Sequence, residues 1–151
     1  MNLKILIGSG DKIMLLTLPL LIAGLFLNIQ YPAYFSVGGP SLLLTTISII
    51  ILVFGVTNWM WSVVLILLKV PKKELITTGP YSLVRHPLYT GMAFLVLPWI
   101  SFLLNSWLGV LLGIILYIGS RMFSPEEEKF LSGTFNAKWN DYSGKVKIPW
   151  L

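Results

Sequence analysis

Leu42 to Leu68 reads LLLTTISIIILVFGVTNWMWSVVLILL, 27 residues without one charged side chain. As a helix at 1.5 Å per residue this is roughly 40 Å long, and a bilayer core about 30 Å thick needs only about 20 such residues. The segment therefore crosses a membrane with a tilt, or projects from it at one end. Three more apolar stretches flank it: Ile13 to about Ile29, about Leu88 to Leu104, and Trp107 to Phe123. The last two are near the lower length limit for a span. Only Asn105 and Ser106 join them, so they should form a tight helical hairpin. No segment alternates apolar and polar residues as a β-barrel requires. The expectation is an all-α integral membrane protein of about four transmembrane helices, residues 1–151 forming one domain.

Composition agrees. The chain has 151 residues, 56% hydrophobic and 11% charged, with a mean hydropathy of +0.81. Soluble domains carry about 25% charged residues, so a water-soluble monomer is excluded for want of polar surface. The net charge of +5 and pI near 9.6 would in a soluble protein raise nucleic acid as a partner. Here the bases are interleaved with acids, and no nucleic-acid role is expected. There is no cysteine and a single histidine, which removes disulfides, thiolate chemistry and any ordinary metal site.

All eleven Lys and Arg and all six Asp and Glu fall in three places: the first dozen residues, Lys69 to His86, and Arg121 onward. Gln30 to Ser41 and the Asn105-Ser106 turn carry none. Four spans put the three charged segments on one face, and the positive-inside rule makes that face cytoplasmic, with both termini there. The membrane would be a cell inner membrane, or endoplasmic reticulum in a eukaryote. A cleaved signal peptide is the competing reading of the first stretch; its weak basic region and the lack of a small-x-small site argue against it. Residues 1–12 read as an interfacial segment in which Gly8-Ser9-Gly10 interrupts any helix.

The connector after the long stretch holds the most chemistry: Gly79-Pro80-Tyr81 marks a turn, and Arg85-His86-Pro87-Leu88-Tyr89-Thr90-Gly91 opens the next helix. Proline suits a first helical position, which places Arg85 and His86 at the helix mouth, near its positive end. Arg, His and Tyr gathered there build a polar pocket; alternatively Arg85 snorkels to phosphates and Tyr89 joins the interfacial aromatic belt. Beyond the fourth stretch stand Glu126, Glu127 and Glu128. Near a helix N-terminus they would complement the dipole; otherwise they need a cation, either Arg121 or a cationic ligand. Phe135, Trp139 and Tyr142 form a helical stripe, and Ile148-Pro149-Trp150-Leu151 suits an interface. In the long stretch, Asn58 lies deep among apolar neighbours and should face the interior. With Trp59 it either lines a slot for an apolar acceptor or makes an ordinary interhelical hydrogen bond. Gly109 and Gly113 form a close-packing face, and Pro98 is placed to kink the third stretch.

Gly79-Pro80-Tyr81 with Arg85-His86-Pro87-Leu88-Tyr89-Thr90-Gly91, then Glu127-Glu128-Lys129-Phe130-Leu131, then Phe135, Tyr142, Val146 and Pro149, resembles the isoprenylcysteine carboxyl methyltransferase family. Phospholipid N-methyltransferases share its membrane architecture. The resemblance spans Gly79 to Pro149, nearly half the chain, and marks 79–149 as the cofactor-binding region. It implies S-adenosylmethionine as cofactor at the cytoplasmic face, contacted by His86, Tyr89, Gly91, Glu127 and Glu128. Arg85, Glu127 and Glu128 become the candidate catalytic residues, with Asn58, Trp59 and Arg121 on the acceptor side. The acceptor is a lipophilic small molecule or lipid-modified group, such as a prenylcysteine carboxylate, and membrane lipids surround the protein. Methyl transfer needs alignment and exclusion of water more than an acid–base pair, so His86 is expected to bind rather than act as a base. Two positions depart from the family: Asn136 stands for a usual Gly and Trp139 for a usual Tyr. Trp139 keeps open a resemblance to membrane sterol and steroid reductases, which use NADPH. A non-enzymatic membrane protein is the remaining alternative.

Overall fold

The structure is a computed structural model that describes residues 10–39 and 41–148. The expected break at Gly8-Ser9 and the Pro149-Trp150-Leu151 end lie outside the described residues. The described chain is helical throughout, with no strand beyond a single parallel bridge between Val84 and Ile148. Helix α1 is Gly10–Gln30, short α2 is Pro32–Phe35, and α3 is Leu42–Lys69. The third apolar stretch is α4, Pro87–Gly91, then a π-helical turn, Met92–Val96, then α5, Leu97–Leu103. Helix α6 is Leu108–Phe135 and α7 is Ala137–Lys145. Helices α1, α3 and α6 are each long and apolar enough to cross a membrane; Pro87–Leu103 is a shorter apolar helix.

Helix α6 is the central element. It packs against α1 on one side and against the α4–α5 path on the other, and α3 covers the far side of that path. Its most apolar window is 39% buried, against 11% for α1 and for α3. The outer two helices thus turn most of their Leu, Ile, Val and Phe outward, as helices facing lipid do.

Gly109 and Gly113 do what their spacing predicts. A Cβ on Gly109 would collide with the Leu97 carbonyl oxygen, and one on Gly113 with that of Ala93. Backbone therefore touches backbone where α6 crosses the third path, as small residues permit in membranes. Ser101 fixes the hairpin: its hydroxyl donates to the Ser106 carbonyl (2.9 Å) and accepts from the Gly109 amide (3.1 Å).

The third path is irregular just before Pro98, where the π-helical turn Met92–Val96 interrupts the α-helical pattern. Proline cannot donate to the carbonyl four residues back, that of Phe94, and its ring crowds it. The Trp99 indole N–H takes that carbonyl instead, at 3.1 Å. At the uncharged end, Trp107 donates its amide to Phe35 O (2.9 Å) and its indole N–H to Tyr34 O (3.2 Å). Asn105, in a left-handed turn (φ 54°), accepts from the Gly39 amide (3.0 Å).

Two expectations are corrected. The helix that carries the fourth stretch does not stop with it near Phe123: α6 continues through Pro125 to Phe135, so Glu126–Glu128 lie inside a helix and not at its N-terminus. Proline is tolerated because the helix there has emerged from its apolar segment and the freed carbonyl meets a polar environment. Phe135 and Trp139 are likewise not on one helix. Asn136, at φ 45° and ψ −115°, breaks the chain between α6 and α7. The apolar stripe still works across that break, since Trp139, Tyr142 and Val146 are buried together against Leu75, Leu131 and Phe135.

Candidate active site

The three charged segments meet at one end of the bundle. Lys12 on α1 pairs with Glu126 on α6 and lies 5.9 Å from the Phe123 ring centre. The connector and tail close over the same end.

The connector is shaped by a 3₁₀ turn at Gly79–Ser82, where Gly79 takes φ 63° and the Ser82 hydroxyl donates to its carbonyl at 2.7 Å. Just beyond it Val84 bridges Ile148, whose amide donates to Leu83 O at 2.9 Å. His86 caps α4, with Pro87 buried in its first turn. The Thr90 amide and hydroxyl both donate to the His86 carbonyl, at 3.1 and 2.9 Å. That double bond to its carbonyl fixes the backbone from which the Arg85 and His86 side chains project.

Both side chains converge on Glu128. Arg85 Nη1 donates to Oε2 at 3.2 Å, and His86 Nε2 lies 3.1 Å from Oε1. A carboxylate only accepts, so His86 carries its proton on Nε2. The second Arg85 amino group donates to the Ser143 carbonyl at 3.2 Å, tying α7 to the cluster. Arg85 Nε is buried with no hydrogen-bond partner, as is the Ser124 hydroxyl one turn before Glu128 on α6. Glu128, which lies past the apolar part of α6, is held below the usual carboxylate range. The hydrogen bond from His86 is the main cause, partial burial opposes it, and the charges of His86, Arg85 and Arg121 add to it.

Two tyrosines line the same end. Burial first, then the neighbouring Glu127, Tyr142 and Tyr89, push the Tyr81 phenol well above its ordinary value. Burial raises Tyr142 to about 12, with Arg85 opposing and Glu128 adding. The Tyr142 hydroxyl donates to the Tyr81 carbonyl at 2.9 Å. The rings of Tyr89 and His86 are 6.3 Å apart, and Tyr89 packs on the Ile13–Ala93–Leu116 cluster. Gly91 is buried, yet a Cβ there would meet nothing within 4 Å. Empty space therefore lies beside the first turn of this helix.

Of the sequence-predicted residues, the structure brings together Arg85, His86, Tyr89 and Glu128, with Glu127 beside Tyr81. Arg121 is exposed and its charge helps hold Glu128 low, while Glu126 pairs with Lys12 and Glu128 with Arg85 and His86. Asn58 and Trp59 sit half-buried on α3, and Asn58 Oδ1 and Trp59 Nε1 have no partner. The interhelical hydrogen bond expected of Asn58 as one alternative is not made by that oxygen. Sequence reasoning missed three contributors. Tyr81 was visible in the Gly79-Pro80-Tyr81 motif, and Ser124 has only its helical spacing of four from Glu128. The Ser143 carbonyl is a backbone group with no sequence signal. Trp139 is a core residue, so its departure from the family pattern changes packing under α7.

A charge cluster at one end of a bundle of long apolar helices is the architecture of a membrane protein with a polar site at its end. The family profile described as phospholipid methyltransferase matches residues 39–138, two thirds of the chain, and the chain belongs to that family. It is related to the isoprenylcysteine carboxyl methyltransferases, and membership makes the protein a membrane methyltransferase with a lipid-type acceptor. Comparisons with curated proteins and with solved structures return no significant match.

Proposed function

We propose that the protein moves a methyl group from S-adenosylmethionine to a lipophilic acceptor such as a prenylcysteine-type carboxylate. In this reading four helical passes cross the membrane, both termini are cytoplasmic, the cofactor enters from the cytoplasm and the acceptor from the bilayer. The observation that carries the proposal is the convergence of Arg85 and His86 on Glu128, with unspent polar atoms around it. The residues fit the cofactor: Arg85 Nε and the Ser124 hydroxyl are buried and unpartnered, and open space adjoins Gly91. Arg85 would hold its carboxylate, Glu127 and Glu128 its cationic groups, and Tyr89 and His86 one wall. When bound, the cofactor would supply an electrophilic methyl group for transfer to an acceptor lone pair, with the thioether as leaving group.

The chain's own contribution is alignment and exclusion of water. Glu128 is a poor base, because its proton affinity is lowered. Tyr81 and Tyr142, raised, stay protonated and act as donors. His86 Nε2 already donates to Glu128. Such a set binds and orients, and suits an acceptor that arrives deprotonated. Unpartnered Asn58 and Trp59 on α3 would serve the acceptor's side of the reaction, with its apolar part against α3.

The test is equilibrium binding of S-adenosylmethionine and of NADPH to the detergent-purified protein, with His86→Ala and Glu127→Ala alongside. Saturable S-adenosylmethionine binding, weakened by both substitutions, is expected. NADPH binding in its place would assign a reductase, and binding of neither would make the cluster structural.

A further inference from the structure

A second concavity lies at the charged end, between the connector and the tail helix. It encloses about 580 Å³, a size typical of small-molecule sites. Helix α7 separates it from the Arg85–Glu128 cluster: Ser143 meets Arg85, while Lys138, Asp141, Tyr142 and Lys145 of the same helix line the cavity. Its floor is apolar, since Leu75, Phe135 and Val146 belong to the small core beneath α7. Its rim is cationic. Two acids border it, and both are matched: Asp141 pairs with Lys145 at 2.7 Å, and Glu74 lies 3.7 Å from Lys69. Lys73 and Lys138 make no ion pair among the described residues, and both line the cavity, one from the connector and one from α7. Lys73 is held there by a left-handed turn (φ 57°) whose amide donates to Val70 O at 3.0 Å.

We infer that this cavity binds a phosphate-bearing amphiphile, its anionic group between Lys73 and Lys138 and its apolar part on Leu75, Phe135 and Val146. A phosphate offers three acceptor oxygens, so one group can meet two ammonium ions. It fills only a small part of the volume, and the apolar floor accounts for the remainder. The cavity shares the Tyr142 side chain with the methyl-transfer cluster, but Lys73 and Lys138 are not part of that cluster and the inference does not depend on that reading. An anionic lipid headgroup and a soluble phosphate compound share this chemistry.

The full chain in neutral detergent is titrated by calorimetry with dihexanoyl phosphatidic acid, with dihexanoyl phosphatidylcholine and with inorganic phosphate. The expected result is saturable phosphatidic acid binding, weakened about tenfold or more by the Lys73→Gln/Lys138→Gln double substitution. Lys129→Gln/Lys147→Gln, which removes the same charge outside the cavity, should leave it unchanged. Inorganic phosphate binding of equal strength would overturn the amphiphilic ligand, because the apolar floor would then add nothing. Equal weakening by the control pair, or no saturable binding of either phosphate probe, would overturn the proposal. Displacement of phosphatidic acid by S-adenosylmethionine would also overturn it, because the cavity would then belong to the cofactor.

Discussion

Replacing Glu128 by Gln removes the charge at the junction of connector, α6 and tail while keeping the side chain's shape. Glu128 accepts from Arg85 at 3.2 Å and faces His86 Nε2 at 3.1 Å, with side-chain exposures of 26%, 23% and 10% respectively. A hydrogen bond to a charged group contributes about 1.5–3 kcal/mol, and partial exposure lowers that. Gln retains one carbonyl acceptor but turns an NH₂ toward a donor. The net loss at pH 7 is therefore about 2 kcal/mol, or about 4–8 °C in Tm for a chain of this size. The assay is thermal unfolding of the detergent-solubilised chain followed by circular dichroism, with Arg85→Gln and the double variant completing a cycle. The pH dependence has a definite sign. The Glu128 carboxyl is held low when folded, so its stabilisation is complete above the unfolded value of about 4.3 and vanishes as pH falls through the lower folded value. The gap between wild type and Glu128→Gln should therefore be full at pH 7 and close in strong acid. A Tm at pH 7 unchanged within about 1 °C, or a gap that persists undiminished at pH 3, would refute the reasoning.

Gly109→Ala drives a methyl group into the Leu97 carbonyl and Ser101, and should destabilise by about 3 kcal/mol or more, read as loss of the monodisperse peak in size-exclusion chromatography. Gly133→Ala, on the exposed part of α6 with nothing within 4 Å, should instead raise Tm, by about 0.5–1 kcal/mol in stability. Asn136→Gly relieves the positive-φ junction between α6 and α7 and should stabilise by about 1 kcal/mol, with Asn136→Ala moving the other way; chemical denaturation in mixed micelles measures both. Tyr142→Phe leaves the Tyr81 carbonyl without its donor, costs about 1–2 kcal/mol, and should speed protease cleavage of the tail if that bond secures α7.

The helices were legible because their signal is dense. Twenty-seven uncharged residues from Leu42, and the two-residue break at Asn105-Ser106, predict α3 and the hairpin almost to their ends. The Gly109/Gly113 spacing likewise announced its close crossing. The Glu126–Glu128 placement was not legible, because Pro125 reads locally as a helix start, whereas α6 emerging from its apolar segment can carry a proline. Arg85, His86 and Tyr89 were visible as a clustered exception in a charge-poor chain. Their convergence on Glu128 in particular, out of three adjacent glutamates, is decided by helix rotation: Glu126 turns toward Lys12 and Glu128 toward the connector. Lys73 and Lys138 carry no local signal, since their relation exists only once α7 docks.

The bonds that complete the polar end join residues far apart in the chain: Lys12 with Glu126, Arg85 with Glu128, and Leu83 with Ile148. Each closes a long loop, and long loops close late. During synthesis the hydrophobic helices can enter the bilayer as they emerge, but the Arg85 guanidinium has neither Glu128 nor Ser143 to meet until the ribosome has made the tail. Assembly is thereby ordered: insertion first, then folding of the tail onto the connector. The polar end becomes able to organise a ligand only after the helices that anchor it are in place.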